Sequence, residues 1–280
     1  MASLKSLVAR LLGARRREPD VNVDEVVIAD LGREFDGYTI VALADFHHAP
    51  TDDLDVVRRA VDVANAASPD LIALLGDYGC SLKRTPARSR RWYREALAAM
   101  APEFRRLRAR DGVVAVLGNH DYYAGASEVR DWLRRVGAEV LVNRSRRIVR
   151  SARVLRVAGM DDLAEGNVDP TAGCESAECV PTVVLSHNPD GVTQLAPTLR
   201  VDLMLAGHTH GGQIVFPGYG APITMARVCG PRSASGWIST APVPLYVTRG
   251  LGAQLPLPVR INCPPEILVV RLRSGPQQPA

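Results

Sequence analysis

Five short runs of apolar, largely β-branched residues each lead into a cluster bearing histidine, aspartate or asparagine, and this recurrence constrains the fold more than any other feature. Tyr38 to Ala44 leads into Asp45-Phe46-His47, Leu71 to Leu75 into Gly76-Asp77, and Val113 to Leu117 into Gly118-Asn119-His120-Asp121. Val183 to Leu185 then leads into Ser186-His187-Asn188, and Val201 to Leu205 into Gly207-His208-Thr209-His210. Runs of this length and composition are buried strands, so the polar clusters sit at strand C-terminal ends. Between them the spacing predicts helices over Asp52 to Ala67 with Thr51 as N-cap, around Trp92 to Met100, and over Ser127 to Val136 closed by Gly137. Alternating strands and helices imply a sheet with helices outside, and such sheets carry their sites where these strands end.

From about Glu139 the pattern changes to closely spaced strands at 140–142, 147–150 and 154–157, followed by 245–248 and 267–272. Two sheets facing each other would bury all of them. The expected fold is therefore α/β: a four-layer αββα sandwich of two facing mixed β-sheets flanked by helices. At 280 residues and 46% hydrophobic the chain suits one large domain. Its expected limits are residues 20–273, after a basic amphipathic segment at 1–19 and before a disordered tail at 274–280.

Five of the six histidines fall in these clusters. Imidazole suits zinc, iron and manganese, whereas carboxylate and amide oxygens suit harder ions such as manganese. A mixed set without cysteine thus points to catalytic divalent ions rather than structural zinc. Asp-x-His, Gly-Asp, Gly-Asn-His-Asp, a histidine after a strand and Gly-His-Thr-His, in this order, resemble the calcineurin-like metallophosphoesterase superfamily. Gly207-His-Thr-His-Gly-Gly-Gln213, Phe216-Pro-Gly218, Tyr246-Val-Thr-Arg-Gly-Leu-Gly252 and Pro264-Pro-Glu-Ile267 more narrowly resemble its bacterial membrane-associated phosphodiesterase branch.

That resemblance implies two divalent metal ions, with manganese favoured over iron or zinc. The first would be held by Asp45, His47 and His210 and the second by Asn119, His187 and His208, with Asp77 bridging them. Two ions about 3.5–4 Å apart hold a hydroxide and stabilise the charge of a phosphoryl transition state. His120, whose side chain diverges from that of Asn119, is expected to protonate the leaving oxygen or stabilise the transition state, with Asp121 orienting its ring. His48 matches no family position and is expected at the rim or surface. Gly76-Asp77-Tyr78-Gly79-Cys80 lacks the second aspartate that many relatives carry three residues after the first. Asp161-Asp162 matches the branch pattern, and a loop-capping role suffices for it.

The implied function is a phosphodiesterase or pyrophosphatase acting on a small phosphoester or a lipid-linked substrate, an acylated UDP-glucosamine being one option. The alternative is a non-catalytic binding module that keeps the fold. Residues 1–17 carry five cations and no acid, with Leu4, Leu7, Val8, Leu11 and Leu12 on one helical face; without these cations the chain has 29 basic against 30 acidic residues. This pattern suits either peripheral contact with an anionic membrane or packing on the chain's own domain, and the apolar run is too short to span. A cytoplasmic protein, peripheral on the inner membrane, is expected. From Lys83 to Arg110 ten basic residues face two acids, Glu95 and Glu103, suiting either a site overhang or a solvated helix face. No nucleic-acid partner is expected from a body so near neutral. The five cysteines read as free thiols away from the histidine clusters.

Overall fold

The computed structural model describes residues 18–81, 86–174, 179–254 and 259–276. The expected N-terminal helix and most of the expected tail lie outside them. Twelve strands form two six-stranded mixed sheets. The first has the order β1 (Asp20–Ile28), β12 (Glu266–Ser274), β2 (Tyr38–Leu43), β3 (Leu71–Leu74), β4 (Val113–Ala115), β5 (Ala138–Val140). The second has the order β10 (Gly236–Trp237), β11 (Leu245–Val247), β9 (Leu203–Ala206), β8 (Thr182–Leu185), β7 (Arg153–Gly159), β6 (Arg144–Arg150).

Strict alternation divides each strand between two cores. Ile40, Ala42, Leu71, Ala73, Val114, Val183, Leu185, Leu203, Leu205, Leu268 and Val270 point between the sheets, where they are buried. Val41, Leu43, Ile72, Leu74, Ala115, Ile267 and Val269 point outward under the helices. Those helices are α1 (Asp55–Ala66), α2 (Pro86–Phe104), α3 (Asn119–Ala124) and α4 (Ala126–Arg135), all on the first sheet. The outer face of the second sheet is covered instead by loops and short 3-10 turns that supply Met160, Ala172, Val192, Ala226, Cys229 and Ile238.

Several local expectations change. β1 was not expected: Asp20, Asn22, Asp24 and Glu25 break its apolar run, and its pairing with β12 in parallel register is set by the far end of the chain. As an edge strand it tolerates such residues. β12 continues through Ser274, one residue past the expected domain limit, and β5 begins at Ala138 rather than Val140. Thr51 does not cap α1, because the helix starts at Asp55 and the Asp53 carboxylate accepts the Asp55 amide at 3.2 Å. Helix α2 is longer than expected and packs Tyr93, Leu97, Met100 and Phe104 on the sheet, while Arg91, Arg94 and Arg106 pair with Glu95, Glu128 and Glu103 at the surface. Among the described residues of the basic stretch, these three arginines thus lie at a solvated surface. Among the described residues no helix is long and apolar enough to cross a membrane.

Phe46, Tyr78, Phe104 and Trp132 form an aromatic cluster beneath the site, with Phe104 5.0 Å from both the Phe46 and Trp132 ring centroids. Phe46 lies between Asp45 and His47, and Tyr78 follows Asp77, so these rings anchor the ligand loops from behind. Phe104→Ala is expected to lower stability by about 3–5 kcal/mol in urea unfolding, the usual cost of deleting a buried aromatic ring. A loss below about 1 kcal/mol would show that the cluster does not brace the sheet.

Candidate metal centre

Six of the seven expected ligands, Asp45, His47, Asp77, His187, His208 and His210, come together beyond the strand ends, and Asn119 opens α3 next to His120. Beyond the strands the backbones stay paired, with the Asp45 amide on the Gly76 carbonyl (3.0 Å), His47 on Asp77 (3.1 Å) and Gly207 on His187 (3.0 Å). What turns the side chains inward is local backbone strain. Asp45, His47, Asp77, His208 and His210 all have positive φ, between 40° and 73°. Non-glycine residues in this region cost on the order of 1–3 kcal/mol each and cluster at functional sites. Glycine supplies the remaining room: a Cβ at Gly118 would overlap the Asp77 carboxylate, and one at Gly207 would lie 2.6 Å from Asp45 Oδ2.

The donor atoms form two facing pairs around a shared carboxylate. His210 Nε2 lies 3.1 Å from His47 Nε2, and His208 Nδ1 lies 3.2 Å from His187 Nε2. Asp77 Oδ2 is 3.3 Å from both His47 Nε2 and His187 Nε2, while its Oδ1 accepts the His120 amide at 2.9 Å. Asp45 Oδ1 is 3.7 Å from His210 Nε2 and 3.9 Å from His47 Nε2. His187 donates Nδ1–H to the Leu75 carbonyl at 2.8 Å, and the His208 ring is hydrogen-bonded to the Met225 backbone, so both rings are oriented from outside. Asn119 Oδ1 is buried with no hydrogen-bond partner. An orphaned amide oxygen beside nitrogen pairs and carboxylates is what divalent cations would satisfy, and the donor set fits them.

The protonation pattern supports this fit. Burial would hold the His47 imidazole down, but Asp77 carries it up to about 10, and Asp77 likewise outweighs burial to raise His187 well above the ordinary histidine range. Burial and the neighbouring His187 push His208 down to about 3, and burial with His47 holds His210 well below the ordinary histidine range. Each facing pair therefore shares one proton. Asp77 stays ionised because His187 and His120 outweigh its burial, whereas burial lifts Asp45 to about 6.

The ligand atoms of His120, His47 and Asp77 lie within 4.8 Å of one another, close enough for His120 to share a metal ion with them. Its ring meets His47 edge-on, with centroids 4.7 Å apart. Nδ1 lies 3.2 Å from Ser81 Oγ, whose hydroxyl donates to the His120 carbonyl, and Nε2 lies 3.1 Å from Gln254 Nε2. Burial holds the ring neutral, with its pKa down to about 4. Asp121 does not orient this ring, contrary to expectation. Its carboxylate accepts the Asp77, Tyr78 and Gly118 amides and the Tyr93 hydroxyl. At the third position of α3 it caps the helix instead, tying the Gly76-Asp77 turn to α2.

Other residues depart from expectation or went unnoticed. His48 is buried within a bridge to Gly79 rather than at the surface. Asp161 and Asp162 cap a loop through the amides of Asp162, Ala164, Glu165 and Asn167. Cys80 and Cys263 are free thiols, as expected, yet lie under the ligands, donating to the carbonyls of His47 (2.6 Å) and His210 (3.2 Å). Arg260 pins the loop at 249–252 to the His210 turn through the carbonyls of Gly252, Arg249 and His210. Glu266, at the start of β12, accepts from Tyr246, Asn22 and the Arg249 amide. Ser81, Gln254 and Arg260 lie outside any histidine cluster, so their spacing carried no signal.

Residues 38–212 match the family described as Calcineurin-like phosphoesterase. The chain is 32% identical over 238 residues to "Phosphodiesterase YaeI" of Escherichia coli, covering 84% of this chain and 82% of that protein. It is 31% identical over 243 residues to "Uncharacterized metallophosphoesterase YkuE" of Bacillus subtilis, covering 86% and 80%. Among solved structures, Haemophilus influenzae NAD nucleotidase superposes with a TM-score of 0.43 at 13% identity, covering 76% of this chain and 50% of that one. The chain belongs to the calcineurin-like phosphoesterases and is a metal-dependent phosphoester hydrolase.

Because metal uptake must displace the shared protons, apparent metal affinity is expected to rise with pH toward about 10, where His47 titrates. For the metal-free protein the sign differs. The His47 contribution to stability is complete below the ordinary value of 6.5 and is lost as pH rises through about 10, while that of Asp77 is lost as pH falls below the ordinary 3.8. Calorimetric titration in buffers of different ionisation enthalpy should show proton release on loading, and pH-independent uptake would contradict the assignment.

Proposed function

We propose that this calcineurin-like phosphoesterase is a dinuclear phosphodiesterase or pyrophosphatase, with Asp77 shared between the two ions. The observation that carries this reading is the position of Asp77 Oδ2, 3.3 Å from one imidazole of each facing pair. Asp45, His47 and His210 would complete one site and Asn119, His187 and His208 the other. Manganese suits this mixed nitrogen and oxygen set best. When bound, the ions supply Lewis acidity and an activated water.

The chain's own residues do the rest. The carboxylates of Asp45 and Asp77 are buried at the heart of the centre, and α3 carries His120 beside them. His120 would stabilise the phosphoryl transition state or, once Nε2 has taken up a proton, pass it to the leaving oxygen, with Ser81 fixing the ring from Nδ1. Gln254 occupies that Nε2 and must yield to the substrate. A relative named phosphodiesterase supports diester chemistry, and a lipid-linked diester or pyrophosphate is the substrate we favour. The convergence of six expected ligands around strained backbone weighs against a binding module that has lost catalysis, because such strain is retained where it serves the chemistry.

Asp77→Asn is expected to abolish hydrolysis of bis-p-nitrophenyl phosphate and to lower metal content measured by elemental analysis. Normal turnover with full metal content would refute a shared carboxylate. His120→Ala should keep its metal and lose roughly 10²–10⁴-fold in rate, less for substrates with acidic leaving groups. Loss of metal in that variant would make His120 a ligand.

A further inference from the structure

The segment that follows the Gly-His-Thr-His turn is apolar where it meets solvent. Phe216 is 52% exposed, Tyr219 59%, Ile223 63% and Met225 53%. Four large apolar side chains within ten residues form a patch of the kind that marks an interaction surface. The backbone beneath is firmly tied: Val215 donates to the Ile261 carbonyl, Phe216 to Gly220 and Ala221 to Pro231, while the Asp190 carboxylate accepts the Arg227 and Val228 amides. The side chains are therefore held outward by a built loop.

This loop is the rim of the metal centre. His208, the ligand that is only partly buried, is hydrogen-bonded to the Met225 backbone, and the Ile223 carbonyl and Ala221 Cβ close on Gly212, two residues past His210. A groove of about 460 Å³ runs from Asn188, beside His187, to Arg227. The loop itself carries no acid, although the Asp190 carboxylate lies against its Arg227 and Val228 amides and lines the groove. From Leu203 to Pro265, 63 residues, there is no acidic residue, although the chain holds 30 in 280. Arg227 and Arg232 are exposed beside the apolar side chains.

We propose that the loop from Phe216 to Arg232 is a docking surface for an anionic lipid bilayer, setting the mouth of the metal centre on the membrane. The inference rests on the phosphodiesterase reading for its purpose, since it makes the substrate a phosphodiester or pyrophosphate whose lipid part stays in the bilayer. Aromatic and aliphatic side chains enter the interface, arginines meet lipid phosphates, and the one acid shown bonded to the loop, Asp190, is occupied by the Arg227 and Val228 amides. A protein partner or a second copy would not require a stretch of this length free of acid.

The test uses the full chain with vesicles of mixed phosphatidylglycerol and phosphatidylcholine, against phosphatidylcholine alone. The protein is expected to float with the anionic vesicles, less so at high salt. A Phe216→Ser, Ile223→Ser double variant is expected to lose about tenfold or more in partitioning, as half-exposed apolar side chains no longer leave water. Its melting temperature and hydrolysis of soluble bis-p-nitrophenyl phosphate should be unchanged. Failure of the unaltered protein to bind, or equal binding by the variant, would overturn the proposal. So would a concentration-dependent dimer that the variant dissolves, because the patch would then cover a second copy. Vesicle binding without metal-dependent hydrolysis of any phosphodiester would instead sink the functional reading and leave the docking surface standing.

Discussion

The carboxylate of Asp77 is buried between two imidazoles that it holds at equal distance, and the surrounding architecture exists to keep it there. An ionised carboxylate in an apolar interior is costly unless paired and hydrogen-bonded. Asp77 meets both conditions, through His47, His187 and the His120 amide. Its backbone is left-handed, the next strand's Gly118 leaves no room for a Cβ, and Asp121 collects the amides on either side of the turn. Removing the charge would leave two buried imidazoles competing without a common acceptor.

Support reaches outward in layers of decreasing polarity. The Asp121 carboxylate, itself lifted to about 7 by burial and by Asp77, links the turn to Tyr93 on α2. Below it the rings of Tyr78, Phe104 and Trp132 fill the space between helices and sheet. Across the centre Arg260 and Glu266 perform the same service for the loop at 248–252, whose Gly250 and Gly252 abut Asp45 and Phe46. On another side Gln254 Nε2 lies 3.1 Å from His120 Nε2, and His208 is partly exposed.

The buried strands and their ligand-bearing ends were legible in the sequence because period-two apolar runs and strand-end clusters are local patterns. The residues expected as ligands stood out by their order along the chain, and six of them lie together in the structure. β1 was not, since its partner lies at the opposite end of the chain and its own composition is polar. Asp121 illustrates the limit more sharply: its adjacency to His120 suggested contact with that ring, but the opening turn of α3 sends its carboxylate back to Gly118 and Asp77. Ser81, Gln254 and Arg260 bear common side chains whose role arises only from tertiary position. Cys80 and Cys263, outside the histidine clusters in sequence, meet the His47 and His210 carbonyls in space for the same reason.

Anomalous diffraction from crystals of the manganese-loaded protein tests the central claim most directly. The account requires two peaks about 3.5–4 Å apart, one on each side of Asp77, with Asp45, His47 and His210 around one and Asn119, His187 and His208 around the other. A single peak, or two peaks that do not share Asp77, would contradict it.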